Sequence, residues 1–129
     1  CSLIHSDDHG RSWTEPQTIT RKDEHPADLT LLDSGKVLMT IGRRRRPMGC
    51  MALVSDDSGQ TWDFSREVLL ACDGIGGTDL GYPSTVQLAD GTIVTAIYYA
   101  DGAGSGPLDA ESVCCQVIRY TDELFEAGN

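Results

Sequence analysis

Ser55-Asp56-Asp57-Ser58-Gly59-Gln60-Thr61-Trp62 repeats an earlier stretch, Ser6-Asp7-Asp8-His9-Gly10-Arg11-Ser12-Trp13, at an offset of 49 residues. The shared frame is S-D-D-x-G-x-[ST]-W, with five identities and one hydroxyl-for-hydroxyl exchange in eight positions. Ser and Asp oxygens accept from nearby backbone N–H groups, and Gly10 and Gly59 supply a positive φ without strain, so each copy predicts a hairpin tip. Apolar residues precede each turn (Leu3, Ile4; Met51 to Val54), and a Trp follows each Gly by three positions. Trp13 and Trp62 are therefore expected to fold back over their own turns as rigid apolar plugs. The D-x-[DN]-x-[DN]-G spacing of a calcium loop is absent, and no metal site is expected.

A second feature repeats at similar spacing. Leu29-Thr-Leu-Leu-Asp-Ser-Gly-Lys-Val-Leu-Met-Thr aligns with Thr85-Val-Gln-Leu-Ala-Asp-Gly-Thr-Ile-Val-Thr-Ala, with Gly35 over Gly91. Short β-rich runs, 14 Gly and 5 Pro without a long 3.6-residue periodicity make the chain all-β. A repeat near 50 residues is the size of a four-stranded propeller blade, and 129 residues hold about two and a half of them, whereas closed propellers have about four to eight. The expectation is a partial β-propeller, the C-terminal part of a larger one. Its units are 1–20 (the end of a blade), 28–71 (a full blade) and 80–121 (an incomplete final blade). Trp13–Thr20 and Trp62–Leu70 read as the strands that return from the two turns, the polar segment Arg21–Asp28 reads as a linker, and Cys72–Gly81 and Asp101–Asp109 read as loops.

Ten basic against twenty acidic side chains give a net charge of −10, which opposes nucleic acid and anionic membranes as partners. No apolar run is long enough to span a bilayer. Five cysteines without a C-x-x-C indicate neither a disulfide framework nor zinc, and Cys114 and Cys115 are expected on opposite faces of one strand. His5 and His9 flank a turn and are expected to be solvated.

Against this acidity, Arg43-Arg44-Arg45-Arg46 gathers half of the eight arginines in one loop. Such a loop can be a solvated basic turn paired with acids, or an anion clamp in which guanidinium forks hold a carboxylate. Alternate side chains diverge, so at most two of the four can aim at one spot.

The duplicated frame resembles the Asp box (BNR repeat), S-x-D-x-G-x-x-W, of the sialidase-like β-propellers. The resemblance assigns Ser6, Asp8, Gly10 and Trp13, and Ser55, Asp57, Gly59 and Trp62, to structural boxes at the blade periphery. It implies a six-bladed propeller and, for a catalytic member, a retaining exo-α-sialidase. The run Gly81-Tyr82-Pro83-Ser84, followed by an aliphatic strand, a D-G turn and a further strand ending in Tyr98-Tyr99, resembles the opening of a sialidase's last blade. Tyr82 then matches the nucleophilic tyrosine, although Pro83 stands where the family places serine. The penultimate blade supplies one arginine of a three-arginine cluster, for which Arg44 is the first choice and Arg43 the second. A competing register matches Glu24 to the general-base glutamate, with Arg43 following it by 19 residues. The acid/base aspartate and the first arginine of the family lie in an opening blade that this chain lacks.

The resemblance implies a sialoglycan or related acidic sugar as ligand, the remaining blades upstream as partners, and no cofactor. The fragment alone is expected to be inactive. Two alternatives stay open: a non-catalytic Asp-box propeller that binds glycan or protein, and a glycosidase or lyase acting on another acidic sugar.

Overall fold

The structure, a computed structural model, describes residues 1–72, 77–100 and 113–126. The expected loop at Asp101–Asp109 and part of the expected crossover Cys72–Gly81 lie outside the described residues. Those residues form an all-β chain of three antiparallel sheets, none of them closed. β1 (Ser2–Leu3) pairs with β2 (Gln17–Thr18). β3 (Glu24–Leu31), β4 (Val37–Arg43), β5 (Gly49–Ser55) and β6 (Val68–Ala71) form a meander in that order. β7 (Leu80–Gln87), β8 (Ile93–Ala100) and β9 (Val113–Tyr120) form a second meander. Among the described residues no helix is long and apolar enough to cross a membrane.

The two duplicated boxes fold alike. In the second, the Gly59 N–H donates to Ser55 Oγ at 2.8 Å, while Gln60 N, Thr61 N and Thr61 Oγ1 all donate to Asp57. In the first, Ser6 Oγ accepts from Gly10 N, and Asp8 accepts from Arg11 N, Ser12 N and Ser12 Oγ. These bonds favour the charged carboxylate. They hold Asp8 at about 2, led by the Ser12 hydroxyl, and Asp57 at about 2, led by the Thr61 hydroxyl. Gly10 and Gly59 both have φ +84°, preceded by His9 and Ser58 at +62°. Each indole N–H donates back to its own turn, Trp13 to Gly10 O and Trp62 to Gly59 O. The two plugs differ in cover: Trp62 packs on the core, whereas Trp13 stays exposed. His9 is exposed as expected, but His5 is half-buried, with its Nε2 enclosed.

The middle sheet is covered on both faces. Met39, Ile41, Met51 and Leu53 pack with Ile19, Leu3 and Trp62 on the side of the small sheet. Leu38, Ala52 and Val54 pack with Ile93 and Phe125, and Cys50 with Leu80 and Ile97, on the side of the third sheet. Burial on both faces makes β5 an unbroken apolar run, Cys50 to Val54, without polar alternation. It also pushes the Cys50 thiol up to about 12, because the thiolate cannot be hydrated there.

A line of hydroxyls crosses from the second sheet to the third. Thr40 Oγ1 meets Thr85 Oγ1 at 3.0 Å, Thr85 Oγ1 meets Thr95 Oγ1 at 3.0 Å, and Thr95 Oγ1 meets the Tyr120 hydroxyl at 2.8 Å. The Thr85 N–H donates to Asp28 Oδ2 at 2.7 Å, tying β7 to β3.

Three expectations about elements change. The segment Arg21–Asp28, read as a linker, contains the start of β3, because Glu24 and Ala27 pair with Arg43 and Ile41 of β4. The expected strand from Trp13 to Thr20 shrinks to β2, with Thr14 bonded across the turn to His5 outside it. The expected strand Trp62–Leu70 is interrupted by a 3₁₀ turn, Phe64–Arg66, capped by the Asp63 carboxylate accepting from Ser65 N.

Candidate functional site

β4 ends at Arg43 and β5 returns from Gly49, so the arginine loop and the Asp57 turn occupy opposite ends of one hairpin. Glycines bring the third sheet to the arginine end. A Cβ on Gly42 would lie 2.8 Å from Gly81 Cα and 2.8 Å from His25 O, so only a residue without a side chain allows β4 and β7 to touch there. Gly81 pairs with Tyr98 and Ser84 with Ala96, which leaves Tyr82 and Pro83 facing the single residue Ile97. This bulge aims a side chain out of the sheet, and Tyr82 takes φ +49°, an uncommon conformation for a bulky residue.

The Tyr82 ring is 62% exposed and lies beside Arg44, whose guanidinium carbon is 5.7 Å from the ring centroid. Tyr98 meets the same ring edge-to-face, at 6.4 Å and 74°. The Tyr98 hydroxyl donates to Asp79 Oδ2 at 3.1 Å. Desolvation, reinforced by Asp79, raises the Tyr98 phenol above its ordinary value, so this hydroxyl remains a proton donor.

The four arginines of the loop have separate tasks. Arg45 donates from Nε (3.0 Å) and Nη2 (2.6 Å) to Glu24 Oε1. The other oxygen, Glu24 Oε2, accepts from Arg21 N at 2.9 Å, and the whole Glu24 side chain is inaccessible to solvent. Arg43 is buried and turns to Glu67 Oε1 at 3.6 Å, where Arg21 joins from the other side at 2.9 Å to Glu67 Oε2. Arg46 is exposed. The Arg44 backbone N–H is anchored to Asp23 O at 2.8 Å, while its side chain makes no ion pair and its buried Nε has no hydrogen-bond acceptor among the described residues. The Arg43 Nε is likewise without an acceptor among the described residues, so what sets Arg44 apart is its place: it carries an open donor beside the Tyr82 ring.

Of the residues singled out from sequence, Arg44 and Tyr82 come together, and the eight residues of the two duplicated turns lie at the far end. Arg43 and Glu24 belong to a buried ion-pair cluster next to Arg44. Asp79, Glu67 and Arg21 complete this end of the molecule and carry no motif, and Tyr98, noted from sequence only as the end of a strand, joins them. Gly42 and Gly81, glycines inside strands, were the available signal for a close approach.

The described residues thus form an all-β chain of antiparallel sheets in which Arg44 and Tyr82 meet at the end away from the two duplicated turns. No family model matches the chain, and no curated protein matches it. Among solved structures, a crystal structure of a protein of unknown function from Dyadobacter fermentans is similar, with TM-score 0.66 and 28% identity over 92% of this chain. The match covers 30% of that chain, so this sequence spans less than a third of its neighbour's length.

Proposed function

We propose that this chain is part of a sialidase-like β-propeller whose assembled form is a retaining exo-glycosidase acting on terminal sialic acids. Tyr82 serves as nucleophile and Arg44 as carboxylate clamp. The observation that carries the proposal is the meeting of Arg44 and Tyr82 across two sheets, at the end opposite both Asp-box turns. The middle and third sheets are then neighbouring blades, and β1–β2 is the end of a preceding one.

The chemistry suits these residue types. A sialic acid carries its carboxylate on the anomeric carbon, where a guanidinium fork can fix it and an anionic Asp or Glu nucleophile would be repelled. A phenol avoids that repulsion. The Tyr82 oxygen bonds to the anomeric carbon while its proton passes to a carboxylate, and the bond to the aglycone breaks as the departing oxygen is protonated. Water then attacks the anomeric carbon, the bond to the Tyr82 oxygen breaks, the phenol takes back the proton held by the carboxylate, and the free sugar leaves. The Glu24 oxygens are occupied by Arg45 and Arg21, which supports a holding role for Glu24 over the general-base role.

A second reading, a non-catalytic propeller that binds an acidic glycan, is favoured by one observation: no carboxylate is hydrogen-bonded to the Tyr82 hydroxyl among the described residues. The test uses the full-length protein carrying this segment and an aryl sialoside. Hydrolysis that falls by several orders of magnitude in Tyr82→Phe is the expected result. Undiminished turnover by that variant refutes the nucleophile, and binding without turnover by the wild type selects the second reading.

A further inference from the structure

The bulge that ejects Tyr82 leaves its ring largely outside the sheet, so its orientation depends on neighbours rather than on enclosure. The Arg44 guanidinium and the Tyr98 ring both lie against it. On the reading above, Arg44 turns to the substrate carboxylate, while the Tyr98 ring stays against Tyr82 as its support. Tyr98 is itself fixed at its far end, because its hydroxyl donates to Asp79. Asp79 is stapled to the same strand, since its carbonyl accepts from Ala100 N at 2.9 Å. The order of dependence runs from the end of β8 to Asp79, to the Tyr98 hydroxyl, and through the Tyr98 ring to Tyr82.

We infer that Tyr98, tethered by Asp79, is the positioning residue for the Tyr82 phenol. The inference deepens the proposed function and rests on it only for its catalytic consequence; the geometric part stands on the contacts alone. The raised proton affinity of Tyr98 fits this division of labour, because a phenol that keeps its proton is a tether and not a second nucleophile. Misplacing a reacting group by an ångström can cost up to about a hundredfold in rate, so loss of the support is expected chiefly in kcat.

The test uses Tyr98→Ala, which removes ring and tether, Tyr98→Phe, which removes the tether, and Asp79→Asn, which keeps an acceptor without the charge. Asp90→Asn, at a distant turn, is the control. Ring-labelled tyrosine NMR on the 129-residue chain reads the environment of Tyr82 directly. Its ring signals should move most in Tyr98→Ala, less in Tyr98→Phe and Asp79→Asn, and stay in place in the control. In the full-length enzyme, kcat should fall by about tenfold in Tyr98→Ala with KM nearly kept, and Tyr98→Phe should restore part of the loss. Unmoved Tyr82 signals in a folded Tyr98→Ala chain overturn the inference whatever the enzyme does. Moved signals in a protein that hydrolyses no sialoside uphold the positioning and overturn the hydrolase reading instead.

Discussion

Replacing Glu24 by Ala removes the carboxylate that organises the arginine loop, and the size of the effect follows from its surroundings. Glu24 is fully buried, whereas its partners Arg45 and Arg21 keep 33% and 40% of their side-chain surface in water. Breaking a fully buried ion pair costs about 3–5 kcal/mol, mostly from the charge left stranded. Here the stranded guanidinium groups can rehydrate, which removes much of that penalty. What remains is the loss of charge-assisted bonds to Arg45 and to Arg21 N, about 2–3 kcal/mol in all. For a chain of this length about 1 kcal/mol corresponds to roughly 4 °C, so Glu24→Ala should melt about 8–12 °C lower. Glu24→Gln keeps one acceptor oxygen and should lose about half as much. Thermal melts followed by circular dichroism at neutral pH give the single-variant values. A double-mutant cycle with Arg45→Ala should show a coupling of at least about 1 kcal/mol. Additive effects in that cycle, or a Glu24→Ala melt unchanged from wild type, would refute the anchoring of the loop by this carboxylate.

Two further outcomes follow from the fold. Gly42→Ala places a methyl 2.8 Å from the backbone of Gly81 and His25, neither of which can swing aside; it should cost about 1–3 kcal/mol and disturb the Tyr82 ring signals. Asp8 and Asp57 both sit at about 2, below their ordinary value of 3.8, so the folded state holds their protons less tightly than the unfolded one. Their contribution is complete above about pH 4 and is lost as pH falls through about 2; Asp57→Asn should flatten the acid side of a melting-temperature profile, and an unchanged slope would refute it.

The turns were the most legible part of the chain, because their geometry is written locally. Gly35 and Gly91 adopt φ +84°, as do the box glycines, and a Ser/Asp cluster closed by Gly describes its own hydrogen bonds. β3 was harder to read. Its first residues are charged or polar because Glu24 faces arginines rather than a hydrophobic layer, and that partnership spans 21 residues of sequence. The site divides in the same way. Arg44 and Tyr82 stood out as an anomalous run and a strand opening, but the contact between them depends on Gly42 meeting Gly81, a fact about two sheets. The Asp79–Tyr98 bond joins residues 19 apart across a hairpin and leaves no mark in composition or periodicity.

The threonine hydroxyls between the second and third sheets act as a vernier. Thr85 stands in line between Thr40 and Thr95, and its neighbours on β7 are Ser84 and Val86. A slip of one residue in one direction would put a valine into the line and strand hydroxyls on both sides, at about 1–3 kcal/mol for each one left without a partner. Apolar layers tolerate sliding; a row of mutually dependent donors and acceptors resists it, here in the direction of Val86. The scale on which these sheets are aligned is thus finer than the packing that holds them together, and it sets where Tyr82 comes to rest against Arg44.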